Sequence, residues 1–309
     1  MRFFNINFST TTLAKFAAVY SGLVFGIYWI PLRALEDNGF AGLWATFIFS
    51  VVPLIFLTPL LFSRLPAMAR AKPHFHICGI MVGGGYMLYA SAFLYTEVIR
   101  VILLFYLMPI WGFLLARVVT GDPITPVRWL SMALGMIGML VIFGIDSGFP
   151  APKNIGDWMA LTAGIMWAVA SLMLLTDKST PTRDYMCAFI FWGTVFSGVL
   201  ALLFTQLGSL QTAQWQAFPD IAWWIALLAI FVLIPAAFAT VFGPSHLNPG
   251  IAGLLFMTEI SVAVASAAWL AGEPFGAREI IGVTLITLAG LSEPISTLVF
   301  GQSTRATTE

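Results

Sequence analysis

Charged residues are scarce in this chain. Asp, Glu, Lys and Arg make up 9% of its 309 residues, whereas apolar residues make up 60%. A typical soluble domain carries roughly 25% charged residues. This number of charges is too small to give a soluble fold a polar surface. The apolar faces must therefore contact lipid. At roughly 20 residues per crossing, the chain is long enough for about ten membrane-spanning helices.

Other absences narrow the functional classes. The formal net charge is zero, which leaves no basic footprint for nucleic acid. The two cysteines, Cys78 and Cys187, lie in apolar runs without metal-ligand or disulfide spacing, so we expect neither a metal nor another cofactor. The chain has four lysines and no GxxxxGKS or GxxxxGKT motif, so ATP is not the expected energy source. It also lacks the GxSxG and HExxH motifs, which argues against an enzyme.

Ten apolar runs of helical length follow one another along the chain. They show no alternation of polar and apolar residues, so helices are favoured over the strands of a membrane barrel. The first run is longer than the apolar part of a signal peptide and no small-residue cleavage site follows it, so we predict a first span rather than a cleavable signal. The predicted spans are 13–35, 43–62, 77–96, 101–119, 128–145, 158–176, 185–206, 221–242, 251–271 and 280–299.

One stretch occurs twice. Residues 103–123, LLFYLMPIWGFLLARVVTGDP, return as residues 254–274, LLFMTEISVAVASAAWLAGEP, after a shift of 151 positions. The identical pairs are Leu103 with Leu254, Leu104 with Leu255, Phe105 with Phe256, Ala116 with Ala267, Gly121 with Gly272 and Pro123 with Pro274, and Asp122 meets Glu273. Self-similarity at a shift of about half the chain's length indicates an internal duplication, with repeats at 1–150 and 151–309.

The duplication predicts an architecture. Each repeat holds five spans, and because five is odd, the second repeat enters the membrane in the opposite sense. The sequence therefore predicts an all-α integral membrane protein with ten transmembrane helices in an inverted five-plus-five repeat. Such repeats are typical of secondary transporters, in which two similar halves open a shared site to either side.

The distribution of cations predicts the orientation. With the N-terminus inside, four cations face outward, namely Arg33, Arg100, Lys153 and Arg278. Ten face the cytoplasm: Arg2, Lys15, Arg64, Arg70, Lys72, Arg117, Arg128, Lys178, Arg183 and Arg305. The positive-inside rule then places both termini in the cytoplasm. The Gly121-Asp122-Pro123 turn would face the cytoplasm, and its second copy, Gly272-Glu273-Pro274, would face outward.

The two halves, each closing on a Gly-Asp-Pro or Gly-Glu-Pro turn before a glycine-rich span, resemble the EamA domains of the drug/metabolite transporter superfamily. Within it, Tyr106-Leu107-Met108-Pro109, together with Tyr86 and Tyr89, is similar to the bacterial aromatic amino-acid exporters. The resemblance implies a multi-pass exporter in the bacterial plasma (inner) membrane. It also implies a site lined by the third, fourth, eighth and ninth spans, with the first and sixth beside them.

The third span combines small and aromatic residues. Gly83, Gly84 and Gly85 weaken the helix, so we predict a flexible point there. Tyr86 and Tyr89 follow three residues apart and share one face. Their hydroxyls need partners in an apolar interior, which favours a wet, substrate-binding cavity. The alternative is ordinary aromatic packing or an interfacial aromatic belt.

Pro109 interrupts the fourth span beside Tyr106 and Met108. Proline removes a backbone hydrogen bond, which leaves a bend and a carbonyl that could accept from a substrate ammonium. We therefore predict a second flexible point at Pro109 and substrate contacts at Tyr106 and Met108. The alternative is a proline kink of the kind that membrane helices tolerate.

Glu259 lies near the middle of the ninth span, at the position that matches Met108. A charge there costs roughly 2.5–3.5 kcal/mol on insertion scales, so a function is expected: either a proton site or an anchor for a substrate cation. The alternative is a structural hydrogen bond to another helix. Ile260 replaces the proline expected next, which leaves a bend at this point open. Trp167, near the centre of the sixth span, could stack on a ligand or simply pack in the core.

Three hypotheses follow. The first is export of amino acids, aromatic or otherwise hydrophobic, by alternating access. Transport of a phosphorylated solute is disfavoured, because no midspan Lys or Arg is present to bind a phosphate. The second is a multidrug or cationic-compound exporter of the same architecture, since a carboxylate among aromatic rings suits a hydrophobic cation. The third is an intramembrane enzyme or structural subunit, against which the duplication stands. One chain holds both repeats, so we expect a monomer; proton-coupled and downhill transport both stay open.

Overall fold

The computed structural model of the chain describes residues 9–92, 95–96, 98–143, 152–270 and 275–300, and over these residues it is helical without a β-strand. The helices are α1 (Thr10–Gly26), α2 (Trp29–Asp37), α3 (Leu43–Ala69), α4 (Pro73–Ala92), α5 (Val98–Phe105), α6 (Met108–Val119), α7 (Pro126–Phe143), α8 (Ile155–Thr176), α9 (Thr182–Gln206), α10 (Phe218–Leu228), α11 (Ile234–His246), α12 (Pro249–Phe256), α13 (Thr258–Leu270) and α14 (Ala277–Phe300). A five-residue π-helical segment, Ala229–Leu233, joins α10 to α11.

Several of these helices are long and apolar enough to cross a membrane. Among the described residues there are six such segments, namely Thr10–Asp37, Leu43–Ala69, Ile155–Thr176, Thr182–Gln206, Trp215–His246 and Pro249–Leu270. Shorter apolar helices cover Met108–Val119 and Pro126–Ile142. The chain is therefore a multi-pass membrane protein, while the count of ten spans stays a prediction. The boundary at 150/151 and the turn at Gly272, Glu273 and Pro274 lie outside the described residues.

The helices break at three points within the predicted spans. The first span divides at Ile27 and Tyr28, between α1 and α2. The fourth divides at Tyr106 and Leu107, immediately before Met108 and Pro109. Because proline lacks an N–H, the second break follows directly from the sequence. Discontinuous helices are common at the binding sites of secondary transporters.

The third break, between α12 and α13, occurs without a proline. The Met257 N–H bonds to the carbonyls of both Gly253 and Leu254, at 3.2 Å each. The Thr258 hydroxyl donates to the Leu255 carbonyl at 2.8 Å, which competes with the helical backbone pattern. A bend is therefore present in the ninth span, although Ile260 replaces the proline that would have predicted it. It lies one shift of 151 residues from the break in the fourth span.

Most of the main helix contacts correspond to one another when the two predicted halves are exchanged. Helix α7 packs on α14, and α3 packs on α9. The contact of α4 with α8 has its counterpart in α11 with α1. Likewise, α8 packs on the broken pair α5 and α6, while α1 packs on the broken pair α12 and α13. These correspondences are the ones expected if the two predicted repeats share a fold.

Glycines allow two of these crossings. A Cβ atom added at Gly164 of α8 would lie 2.6 Å from the carbonyl oxygen of Phe105. One added at Gly22 of α1 would lie 3.2 Å from the carbonyl oxygen of Phe256 and would collide with the Thr258 hydroxyl. Phe105 and Phe256 occupy the same position of the repeated stretch, 151 residues apart. Small residues therefore allow α8 to approach the break after Phe105 and α1 to approach the break after Phe256, as is common at membrane helix interfaces.

Gly164→Ala is expected to lower the free energy of unfolding by about 1–3 kcal/mol, because the obstructing atom is a backbone oxygen that no rotamer change can move. Gly193→Ala is the matched control in α9. Its added Cβ would have only Ser50 Oγ at 3.8 Å and Met87 Cε at 4.0 Å near it. Alanine there should be neutral or stabilising, by up to about 1 kcal/mol. Thermal unfolding in detergent measures both, and equal midpoints would contradict the argument.

Two ion pairs join helices, one near each end of α8: the first links α5 to α8 and the second links α3 to α9. At its N-terminal end, Arg100 Nη2 donates to Asp157 Oδ2 at 2.5 Å, and the Thr96 hydroxyl and the Lys153 N–H also donate to Asp157, at 2.8 Å each. The Arg100 and Asp157 side chains are 11% and 0% exposed. Near its C-terminal end, Arg64 Nη2 and Nε donate to Asp184 at 2.7 and 2.9 Å. This second pair is more open, at 27% and 6%.

Candidate functional site

All six residues predicted to bind substrate line one small cavity, which we call the first cavity. It lies among α1, α4, α8 and the two broken pairs, and its volume is about 40 Å³. Its lining consists of Ser21, Phe25, Tyr86, Tyr89, Phe105, Tyr106, Met108, Trp167, Phe256 and Glu259. The breaks after Phe105 and Phe256 bring the repeated stretches together at this point.

Glu259 is held in the first turn of α13, directly after the third break. The Tyr106 hydroxyl donates to Glu259 Oε2 at 2.5 Å, and the Tyr89 hydroxyl also donates to this carboxylate. The positive end of the α13 dipole favours a negative charge at this position. No Lys or Arg is among the described residues that line the first cavity. The carboxylate thus has two phenol donors and no opposite charge, and keeps acceptor capacity for a ligand.

Trp167 supplies a donor without an acceptor. Its side chain is 9% exposed, and the indole Nε1 is buried without a hydrogen-bond partner in this structure. The ring meets Phe256 edge to face, at 5.9 Å between ring centres. A buried, unpaired N–H is costly, so such a group marks a place where an acceptor from a ligand would be bound favourably.

Aromatic rings form the rest of the wall. Tyr89 lies against Phe105 at 4.2 Å between ring centres, and Phe105 meets Tyr106 edge to face at 5.2 Å. Tyr86 contributes its ring to the cavity, but its hydroxyl donates to the hydroxyl of Tyr28 and not to Glu259. Tyr86 therefore stands as a wall residue here, with its polar end directed to the break between α1 and α2.

The predicted flexible points differ from one another. Helix α4 runs without interruption through Gly83, Gly84 and Gly85, so the triple glycine is not a bend in this structure. A Cβ added at Gly83 would lie 2.7 Å from the Gly193 N, so this glycine allows α9 to approach closely. Pro109, in contrast, directly follows a real break. The hinge roles of all four residues stay predictions.

Four lining residues were not predicted from the sequence: Ser21, Phe25, Phe105 and Phe256. Phe105 and Phe256 carried a usable signal, because they are an identical pair of the repeat directly before the two breaks. Ser21 and Phe25 carried none, since nothing in the apolar run of α1 marks which face it turns to its neighbours. The Ser21 hydroxyl bonds with that of Thr240 at 2.5 Å.

A much larger cleft, of about 590 Å³, lies where α3 and α8 end and α4 and α9 begin. Its charged and titratable lining residues are Arg64, Arg70, Lys72, His74, Asp177 and Asp184. Burial alone would raise the pKa of Asp177, but hydrogen bonds from Ser179, Thr180 and Tyr185 outweigh it and hold this pKa well below its ordinary value. The Arg100–Asp157 pair lies away from this cleft, beyond the C-terminal end of α4 and at the N-terminal end of α8.

Comparisons with known proteins agree with the architecture. Residues 12–144 match the model of the EamA-like transporter family. A crystal structure of another protein shares the fold, with a TM-score of 0.72 at 18% identity, over 94% of this chain and 98% of that one. No curated protein sequence matches the chain.

Proposed function

We propose that this chain, whose residues 12–144 match the EamA-like transporter family, is a membrane transporter that exports amino acids with aromatic or other apolar side chains. The main support is the pairing of Glu259 with the donors Tyr89 and Tyr106 in an aromatic cavity. A carboxylate in a cavity whose described lining holds no Lys or Arg would attract the ammonium group of an amino acid.

The other end of a zwitterion needs donors. Trp167 offers an indole N–H without an acceptor, and the Tyr89 and Tyr106 hydroxyls can reorient when the ammonium takes their place on Glu259. An ammonium anchor, a carboxylate donor and aromatic walls together fit a small zwitterion with an apolar side chain. They do not fit a phosphorylated solute, because no Lys or Arg belongs to the described lining of the cavity.

The first cavity must widen before it admits such a substrate. Ligand pockets typically measure about 300–1,000 Å³, whereas this one measures about 40 Å³. In the predicted orientation the 590 Å³ cleft faces the cytoplasm and the Arg100–Asp157 pair closes the outer end. Export would then proceed by rocking of the repeats, which separates this pair and opens the cavity outward.

A hydrophobic cation is the second candidate substrate. The same carboxylate among the same rings would hold a quaternary ammonium dye, and a dye needs no donor for a carboxylate group. Trp167 discriminates between the two classes. An amino acid uses its N–H, whereas a cation uses only its ring face.

The cellular setting is part of the proposal. We place the protein in the bacterial plasma membrane as a monomer, with both termini in the cytoplasm. The support is the excess of Lys and Arg on one side of the predicted spans and the presence of both predicted repeats in one chain.

Counterflow in proteoliposomes tests the proposal directly. Vesicles loaded with unlabelled phenylalanine should accumulate labelled phenylalanine, and other amino acids should compete. Trp167→Ala is expected to reduce this accumulation at least about tenfold, since a buried donor to the substrate carboxylate contributes about 1.5–3 kcal/mol. Tyr89→Ala should reduce it similarly by removing a wall ring and a donor to Glu259.

Trp158→Ala is the matched control, because Trp158 lies on the same helix, is 56% exposed and lines neither cavity. It should transport as the wild type does. Unchanged kinetics in both Trp167→Ala and Tyr89→Ala would reject the site. Accumulation of a quaternary ammonium dye without any amino-acid movement would instead establish the second candidate.

A further inference from the structure

A second cavity, also of about 40 Å³, lies beside the first. It is bounded by α1, α3, α4, α9 and the start of α11. Its lining consists of Phe25, Tyr28, Phe49, Ser50, Pro53, Tyr86, Phe189, Ile190, Leu233, Ala236 and Ala237. Phe25 and Tyr86 line both cavities, so these two side chains are a shared wall between them.

The shared wall consists of aromatic side chains in contact with one another. The rings of Phe25 and Tyr86 are 6.0 Å apart at their centres, and Phe25 meets Tyr28 edge to face at 5.8 Å. The hydroxyls of Tyr28 and Tyr86 bond to each other across it. Tyr28 stands at the break between α1 and α2, so a change in the angle of that break would draw Tyr28 away from Tyr86 and release the hydroxyl contact that holds the wall closed.

The two cavities differ in chemistry. Glu259 and the indole N–H of Trp167 belong to the first. The second has no charged residue in its described lining and is bounded by rings and aliphatic groups, with Ser50 and two phenols as its polar members. The first cavity suits the charged end of an amino acid, and the second suits an apolar side chain.

Resting on the proposed function, we propose that the two cavities are compartments of one substrate site. They join when Phe25 and Tyr86 part, and the second then receives the side chain of the amino acid. Each compartment alone, at about 40 Å³, is far smaller than the cavity of about 150 Å³ that is known to bind benzene. Leu233, Ala236 and Ala237, at the junction of the π-helical segment with α11, are then the residues that set the accepted side-chain size.

Two substitutions should shift this size limit in opposite directions. Leu233→Ala enlarges the second compartment without touching Glu259, and Ala237→Leu fills it. The measurement is counterflow of labelled phenylalanine in proteoliposomes, with unlabelled alanine, leucine, phenylalanine and tryptophan as competitors. Leu233→Ala should raise the ratio of tryptophan to leucine competition about tenfold, and Ala237→Leu should lower it about tenfold, which is the scale for one or two methylenes in an apolar pocket.

The control is Leu228→Ala, which removes the same atoms from α10 but lines neither cavity. Its competition ratios should match the wild type. Ala237→Val provides a smaller filling in case the leucine variant does not fold, with a smaller shift of the same sign. Wild-type amino-acid transport with unchanged ratios in Leu233→Ala and Ala237→Val would overturn the second compartment alone. A wild type that carries no amino acid would overturn the proposed function and this inference together.

Discussion

Glu259→Gln is expected to reduce phenylalanine counterflow by about 10- to 150-fold, because a hydrogen bond to a charged partner contributes about 1.5–3 kcal/mol. Glutamine keeps the shape of the side chain, and its amide oxygen can still accept from Tyr106 and Tyr89. The substitution therefore removes the charge that attracts an ammonium group and leaves the local packing intact. Initial rates at several substrate concentrations measure the effect.

The same variant tests whether the Glu259 carboxylate couples substrate transport to proton movement. If Glu259 exchanges a proton for the substrate, a pH gradient should drive accumulation in the wild type, and the glutamine variant should lose that response. Glu36→Gln is the control, since Glu36 is an exposed carboxylate in α2, where it accepts from the Gly42 N–H. A glutamine variant at 259 that transports amino acids normally but no longer moves a quaternary ammonium dye would reassign the carboxylate to cation export.

Asp157→Asn is expected to lower the free energy of unfolding by about 3–5 kcal/mol, the usual loss when one partner of a buried ion pair is removed. The Arg100 guanidinium would be left against a neutral amide in a position from which water is nearly excluded. Asp184→Asn should cost only about 1 kcal/mol, because Arg64 is partly exposed and can be rehydrated.

The two aspartates occupy equivalent helix positions, although Asp157 also accepts from Thr96 and Lys153 and Asp184 lies 3.8 Å from Arg183 Nε. Each lies in the first turn of its helix, α8 or α9, so the loss of a favourable dipole interaction is common to both substitutions and cancels in the comparison. Chemical and thermal unfolding in detergent give the two differences. Equal losses would show that the burial of the Arg100–Asp157 pair does not matter. A larger loss at Asp184 would reverse the argument.

The sequence predicted which residues share a cavity better than it predicted the bends. Tyr86 and Tyr89 were recognisable from their spacing, and Glu259 from the cost of a charge in a membrane, because both signals are local. The break before Pro109 was also predictable from a local signal, the proline itself. The break at Met257 had no comparable signal, since it depends on the Thr258 hydroxyl and on the close approach of Gly22, which are tertiary effects. The repeat itself was the one hint that the break should exist.

Other features depended entirely on neighbours. The three glycines of α4 suggested a weak helix, yet the helix is continuous, because close packing on α8 and α9 supports it. Ser21, Phe25 and Tyr28 lie in an apolar run whose inner face cannot be identified until its partners are known. The second cavity could not have been predicted, since five separate segments of the chain contribute to its wall.

Membrane voltage acts on this site through a single group. Glu259 is the one charged residue in the described lining of the first cavity, and an amino-acid zwitterion adds no net charge to it. Moving one elementary charge through 100 mV is worth about 2.3 kcal/mol. A cycle in which the carboxylate stays ionised in both directions would therefore carry no net current. A cycle that exchanges a proton for each zwitterion would move one charge per turnover, so the electrical current in a voltage-clamped bilayer counts the protons.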